Sequence, residues 1–181
     1  GICAGSCPSS TPFRRQEQLL TGIDMPQQTV NDLRQHLEDA LTRLEGRSRI
    51  VIFGCDRGAD AKALAAPDTA VISLMCTGIL PPSFVEYALR GGADGVMLTG
   101  CRSGGCDFRL GDRWTAERMT GQREPRLRSK VPRARLQLVS ASRNDGKVLA
   151  AALQEFRTRI ETQAISEDPL PPYFRRTSHH A

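Results

Sequence analysis

Apolar residues at Val30, Leu33, Leu37, Ala40, Leu41 and Leu44 recur at steps of three and four, the pattern of an amphipathic helix over 29–44. Asn31 and Asp32 suit its start and Gly46 its end. The period then changes. Arg49–Phe53 is a short β-branched run ending at Gly54 and Cys55. Ala70–Met75 and Gly95–Leu98 are two more, ending at Cys76 and at Gly100-Cys101. Helical stretches fall between them: 58–66, 81–90 and 112–119, the second with prolines in its first turn and Gly91-Gly92 beyond its end. A fourth strand over 135–139 and a last amphipathic helix over 147–160 close the pattern. Continuous apolar strands alternating with helices predict an α/β domain: a small open parallel sheet of about four strands with flanking helices, of the flavodoxin or Rossmann kind. No internal repeat is present.

The two ends break the alternation. Residues 1–28, rich in Ser, Pro, Gln and Arg, read as an irregular segment and linker with one helical turn near 14–20. Residues 164–181, with Pro169, Pro171 and Pro172, read as a loose tail, which leaves 29–163 for the α/β domain. In 181 residues, 39% hydrophobic, that is one modest core with peripheral ends. No stretch approaches the eighteen or so apolar residues that cross a bilayer, and no signal peptide stands at the start, so a cytoplasmic location is expected.

Charge refines this picture only locally. The chain carries a formal +5. Between Arg102 and Arg135, however, ten Lys or Arg face four acids, Asp107, Asp112, Glu117 and Glu124. Such a stretch is a solvated face or a seat for an acidic partner. Nucleic acid is disfavoured, because Phe108 and Trp114 do not make the interleaved stacking platform of a single-strand binder.

The chemistry lies in six cysteines. In an open parallel sheet every strand C-terminus lies along one edge, where ligands bind. Cys55, Cys76 and Cys101 follow three successive strands and are expected to meet there. Cys106 joins them through the loop Cys101-Arg-Ser-Gly-Gly-Cys106, whose Gly104 and Gly105 are expected to let backbone N–H groups approach sulfur. Four converging thiolates suit a tetrahedral zinc, a [2Fe–2S] or a [4Fe–4S] cluster. The absence of C-x2-C knuckles favours iron–sulfur over a zinc-stabilised interaction domain. A dithiol redox protein using Cys101 and Cys106 lacks the C-x-x-C spacing, and no G-x-G-x-x-G or Walker loop follows any strand. Cys3-x3-Cys7-Pro8 matches the last two ligands of the bacterial ferredoxin run C-x2-C-x2-C-x3-C-P. Those two residues are expected to be remnants of an upstream [4Fe–4S] ferredoxin-like segment, unable to hold a cluster alone.

The run from Ile50 to about Phe156 resembles the delta subunit family of methyl-viologen-reducing hydrogenase. The likeness rests on Met75-Cys-Thr-Gly78, Pro82-Ser-Phe84, Gly91-Gly-Ala-Asp-Gly95, Gly100-Cys101-x4-Cys106, Gly111-Asp-Arg-Trp-Thr-Ala-Glu-Arg118 and Val139-Ser-Ala-Ser142, in that order. It implies a [2Fe–2S] cluster and an electron relay from a hydrogenase or formate dehydrogenase to the flavin-bearing subunit of a heterodisulfide reductase. It also implies an electron-transfer component rather than a stand-alone enzyme. The family often carries a further Cys after the first strand, where this chain has Asp56-Arg57-Gly58. A relay needs a docking face, and Arg102, Arg109 and Arg113, next to the last cysteines, are the candidates for it.

Overall fold

The computed structural model describes residues 20–163. Cys3, Cys7, the expected helical turn near 14–20 except its last residue, and the tail lie outside them.

The first helix, α1 (Val30–Arg43), begins one residue inside the expected boundary because Thr29 caps it. The Thr29 hydroxyl accepts from Asp32 N–H at 3.1 Å, and the Asp32 carboxylate accepts from Thr29 N–H at 3.0 Å. Each side chain thus satisfies a helix-end donor that has no intrahelical partner. Then come β1 (Ile50–Cys55), β2 (Thr69–Leu74), α2 (Ser83–Arg90), β3 (Gly95–Gly100), α3 (Gly111–Thr120), β4 (Leu136–Ser140) and α4 (Gly146–Gln163). The four strands form one parallel sheet in the order β2-β1-β3-β4, the α/β architecture expected from the pattern.

Alternation along β1 divides the core in two. Val51 and Phe53 face one side, joining Leu37, Leu74, Phe84, Val85, Leu98 and Met119 beneath α1, α2 and α3. Ile50 and Ile52 face the other, joining Met97, Leu149, Leu153, Phe156 and Ile160 of β3 and α4. The central strand is buried on both faces, which is why its sequence reads as an unbroken apolar run.

One expected element is not a helix. Between β1 and β2 only Ala61–Leu64 turns, as a short 3₁₀ segment capped by Asp60. The alanine-rich stretch has its backbone groups recruited elsewhere. Gly58 N–H donates to Cys55 O, Ala59 N–H to Ala141 O beyond β4, and Ala66 pairs with Thr69. Tertiary backbone pairing overrides local helix propensity here. β1 and β3 run two residues further than the pattern suggests, so Cys55 is the last residue of β1 rather than the position after it, while β2 ends one residue earlier, at Leu74.

Thr29→Ala removes the cap and is expected to lower the unfolding free energy by about 1 kcal/mol. A urea titration checks this through a lower midpoint at unchanged slope. An unmoved midpoint would show that the capping box adds nothing.

Candidate metal centre

The parallel register decides which sulfurs meet. Cys55 pairs with Leu74 across β1–β2, and Gly54 with Thr99 across β1–β3. The ends of β1, β2 and β3 therefore lie level, and each delivers a cysteine at or just past its last residue. Cys55, Cys76 and Cys101 are each 5% exposed, and Cys106 is half-buried.

The four sulfurs lie near one another. Cys55 Sγ lies 3.7 Å from Cys101 Sγ, and its thiol also reaches Met75 O at 3.7 Å. Cys76 also bears on the Cys55 thiol, drawing its pKa down. The place of Cys106 is read from a glycine. A Cβ at Gly111 would stand 2.5 Å from Cys76 Sγ and 3.2 Å from Cys106 Sγ, so by the sum of the two those sulfurs are at most 5.7 Å apart. Cys101 thus adjoins Cys55, and Cys106 lies near Cys76. All four expected residues are brought to one edge of the sheet. Among the described residues, no three or more Cys, His, Asp or Glu side chains are gathered closely enough around one point to hold a single metal ion.

The close approach at Gly111 is built by two helical segments. After Cys76 the chain makes a 3₁₀ turn, Thr77–Ile79, in which Gly78 N–H donates to Cys76 Sγ at 3.3 Å. The first residue of α3 packs on that turn so tightly that a Cβ on Gly78 would be 3.0 Å from Gly111 Cα. Arg118 donates to Gly78 O at 2.8 Å, and the Thr115 hydroxyl donates to Gly111 O at 2.7 Å and meets Thr77 Oγ1 at 3.4 Å. Side chains of α3 thereby fix both glycines against the sulfurs. Neither glycine stood out from spacing alone; their signal is position, Gly78 two residues after one cysteine and Gly111 opening the helix after another.

The glycines that did stand out act differently. Gly104 has φ +78° and an empty surround, and Gly105 N–H donates to Arg102 O at 2.8 Å. They turn the loop between Cys101 and Cys106 rather than aim N–H groups at sulfur.

Electrostatics among the sulfurs are uneven. The Cys55 thiol is pulled down to about 5, first by its hydrogen bond with Cys76, then by Arg57 N–H, Cys101 and Gly58 N–H, against the opposing effect of burial. The same partnership and burial push Cys76 up. Burial, and then the Cys55 charge, push Cys101 up to about 12. Crowded thiols cannot all ionise without a compensating cation. Thiols held in this way release protons when a metal takes their place.

The three candidate arginines are exposed. Arg102 pairs with Asp145 at 3.2 Å and Arg113 with Glu117 at 2.7 Å, while Arg109 takes a left-handed backbone at φ 64°. The Asp145 carboxyl is held below its usual range, mainly by hydrogen bonds from Ser142 and then by Arg102.

This edge of four thiols accords with the comparisons with known proteins. Residues 50–163 match the family described as methyl-viologen-reducing hydrogenase, delta subunit. The chain belongs to that family. An F420-non-reducing hydrogenase iron-sulfur subunit of Archaeoglobus profundus is 31% identical over 96 residues, 52% of this chain and 69% of that protein. The F420-non-reducing hydrogenase vhc iron-sulfur subunit of Methanococcus voltae is 36% identical over 59 residues, 33% of this chain and 41% of that one. A ferredoxin:CoB-CoM heterodisulfide reductase subunit of Methanosarcina mazei is 33% identical over 91 residues, 50% of this chain but 12% of that protein. The chain thus spans less than half the length of the last two. Among the described residues, no helix is long and apolar enough to cross a membrane.

Gly111→Ala is expected to pry Cys76 and Cys106 apart, because the added methyl has no space between them. In the metal-free chain, Ellman's reagent should then modify Cys106 several-fold faster. Gly146→Ala, which meets nothing within 4 Å, should leave the rate unchanged. Equal rates in all three proteins would mean that α3 does not hold the sulfurs.

Proposed function

We propose that this domain is an electron relay in which Cys55, Cys76, Cys101 and Cys106 hold a [2Fe–2S] cluster. The observation that carries the reading is the gathering of four sulfurs at one sheet edge in a member of this family. Four sulfurs on one edge that do not surround a single point, with Cys55 3.7 Å from Cys101 and Cys106 within 5.7 Å of Cys76, suit a two-iron centre better than a single tetrahedral ion. Bound there, the cluster supplies one-electron oxidation and reduction.

The chain's own residues supply the rest. Four thiolates bind, Cys55 being the one that ionises first. Gly78 N–H donates to Cys76 sulfur, and donors to ligand sulfur tune the potential of such centres. Gly78 and Gly111 let α3 close against the sulfurs and exclude water. Cys106, the least covered of the four, marks the side on which electrons cross.

The donor in this reading is a hydrogenase or formate dehydrogenase, and the acceptor a heterodisulfide reductase-type flavoprotein. The setting is the cytoplasm, and the domain turns over no substrate of its own. Two relatives are named iron-sulfur subunits of hydrogenases and one is named as part of a heterodisulfide reductase, which supports these partners. Cys3 and Cys7, outside the described residues, are proposed as ligands left from an upstream [4Fe–4S] segment.

Dithionite reduction of the anaerobically purified chain is expected to give a paramagnetic signal near one spin per two irons. Cys106→Ala should abolish it while the far-ultraviolet circular dichroism of the α/β fold persists. Cys3→Ser with Cys7→Ser should change neither iron content nor signal in this chain. A colourless protein that carries zinc, or a signal that survives Cys106→Ala, would refute the assignment.

A further inference from the structure

Among the described residues five large apolar side chains are notably exposed: Ile23, Phe108, Leu110, Trp114 and Val148. Three of the five fall within seven residues, 108–114, directly after Cys106. Scattered apolar residues are ordinary on a protein surface, but a concentrated group marks an interaction site.

The backbone displays this group. Arg109 N–H donates to Cys106 O and Leu110 N–H to Phe108 O, closing two tight turns around the left-handed Arg109. A left-handed non-glycine residue carries a conformational cost, sustained here where the chain turns two apolar side chains outward. Trp114 follows one helical turn after Leu110, its N–H bonded to Leu110 O at 2.9 Å. The group also lies near the sulfurs. Phe108 Cβ and Cys106 Sγ both lie within 4 Å of the place where a Gly111 Cβ would stand.

Exposed cations flank it along the chain. Arg102 and Arg113 are 68% and 70% exposed at their side chains, and Arg109 is exposed between them. Arg123 lies over the Trp114 ring at 5.0 Å and shares Glu117 with Arg113. The counter-charges inside the run are four, Asp107, Asp112, Glu117 and Glu124; Asp107 faces Arg57 at 3.5 Å, and Arg102 pairs outside the run with Asp145 at 3.2 Å. From Arg102 to Arg135 the surplus is six positive charges, more than the +5 of the whole chain, so the rest of the chain is slightly acidic.

We propose that Phe108, Leu110 and Trp114 form the apolar centre, and Arg102, Arg109, Arg113 and Arg123 the rim, of a docking face for an acidic redox protein. An apolar centre within a charged rim is the anatomy of a protein interface. Opposite net charge steers encounter, and electron-transfer complexes use small, weak contacts of this kind. One electron crosses beside Cys106: the reduced side loses one, the acceptor gains one, and no bond forms or breaks. The inference rests on the relay reading for what crosses the face, but not for the binding itself.

The probes are an acidic flavodoxin and the basic cytochrome c, titrated calorimetrically into the full chain as purified. Flavodoxin is expected to bind, more weakly as salt rises, and cytochrome c not to bind. F108S with L110S should weaken flavodoxin binding at least tenfold, and R109E with R113E should do the same, while V148S, an exposed apolar change on α4, leaves it unchanged. Flavodoxin binding with this variant pattern in a chain without iron would keep the face and overturn the relay. No flavodoxin binding, equal binding of cytochrome c, or a loss in V148S as large as in the double variants would overturn the face.

Discussion

Gly78 and Gly111 touch across a gap that no side chain can share, and the rest of the site depends on that contact. Gly78 belongs to the turn that follows Cys76, and Gly111 opens the helix that follows Cys106. Drawing the two backbones together is what lets the sulfur of a loop join the sulfur of a strand end. Thr115 and Arg118, one and two turns along α3, bond to the carbonyls of Gly111 and Gly78 and hold the helix in place. The sheet places three cysteines without any such device, because parallel strands in level register end together. Only the fourth needed a helix brought within a methyl's width of sulfur.

That arrangement sets the electrostatic character of the edge. Buried thiols at contact distance suppress each other's ionisation, so Cys55 ionises readily while Cys76 and Cys101 are pushed up. Such a set favours a ligand that brings positive charge and takes every proton at once. Beside the buried sulfurs, Arg102, Arg109 and Arg113 are exposed next to Cys101 and Cys106 in the chain. Negative charge within and positive charge without suit a buried redox centre that meets an acidic protein.

Much of this was legible in the chain itself. The unbroken apolar runs of β1 and β3 announce a strand covered on both faces, and where they stop fixes where Cys55 and Cys101 fall. The helix at 29–44 was legible from its period and its Asp32. The stretch 58–66 was not, because its alanines favour a helix locally while its backbone groups bond to strand ends distant in sequence. Gly78 and Gly111 were hidden for a related reason. Their meaning arises from a contact between residues 33 apart, and their positions beside the cysteines do not by themselves show that the two meet. Gly104 and Gly105 misled in the opposite sense: their setting between two cysteines suggested sulfur contacts, whereas the loop uses them to turn.

The central claim is that these four sulfurs hold two irons, and X-ray absorption at the iron edge of the anaerobically purified chain tests it most directly. The account predicts a first shell made only of sulfur, together with one iron–iron neighbour that disappears when Cys76 is replaced by Ser. Oxygen or nitrogen neighbours without an iron–iron vector, or zinc in place of iron, would contradict it.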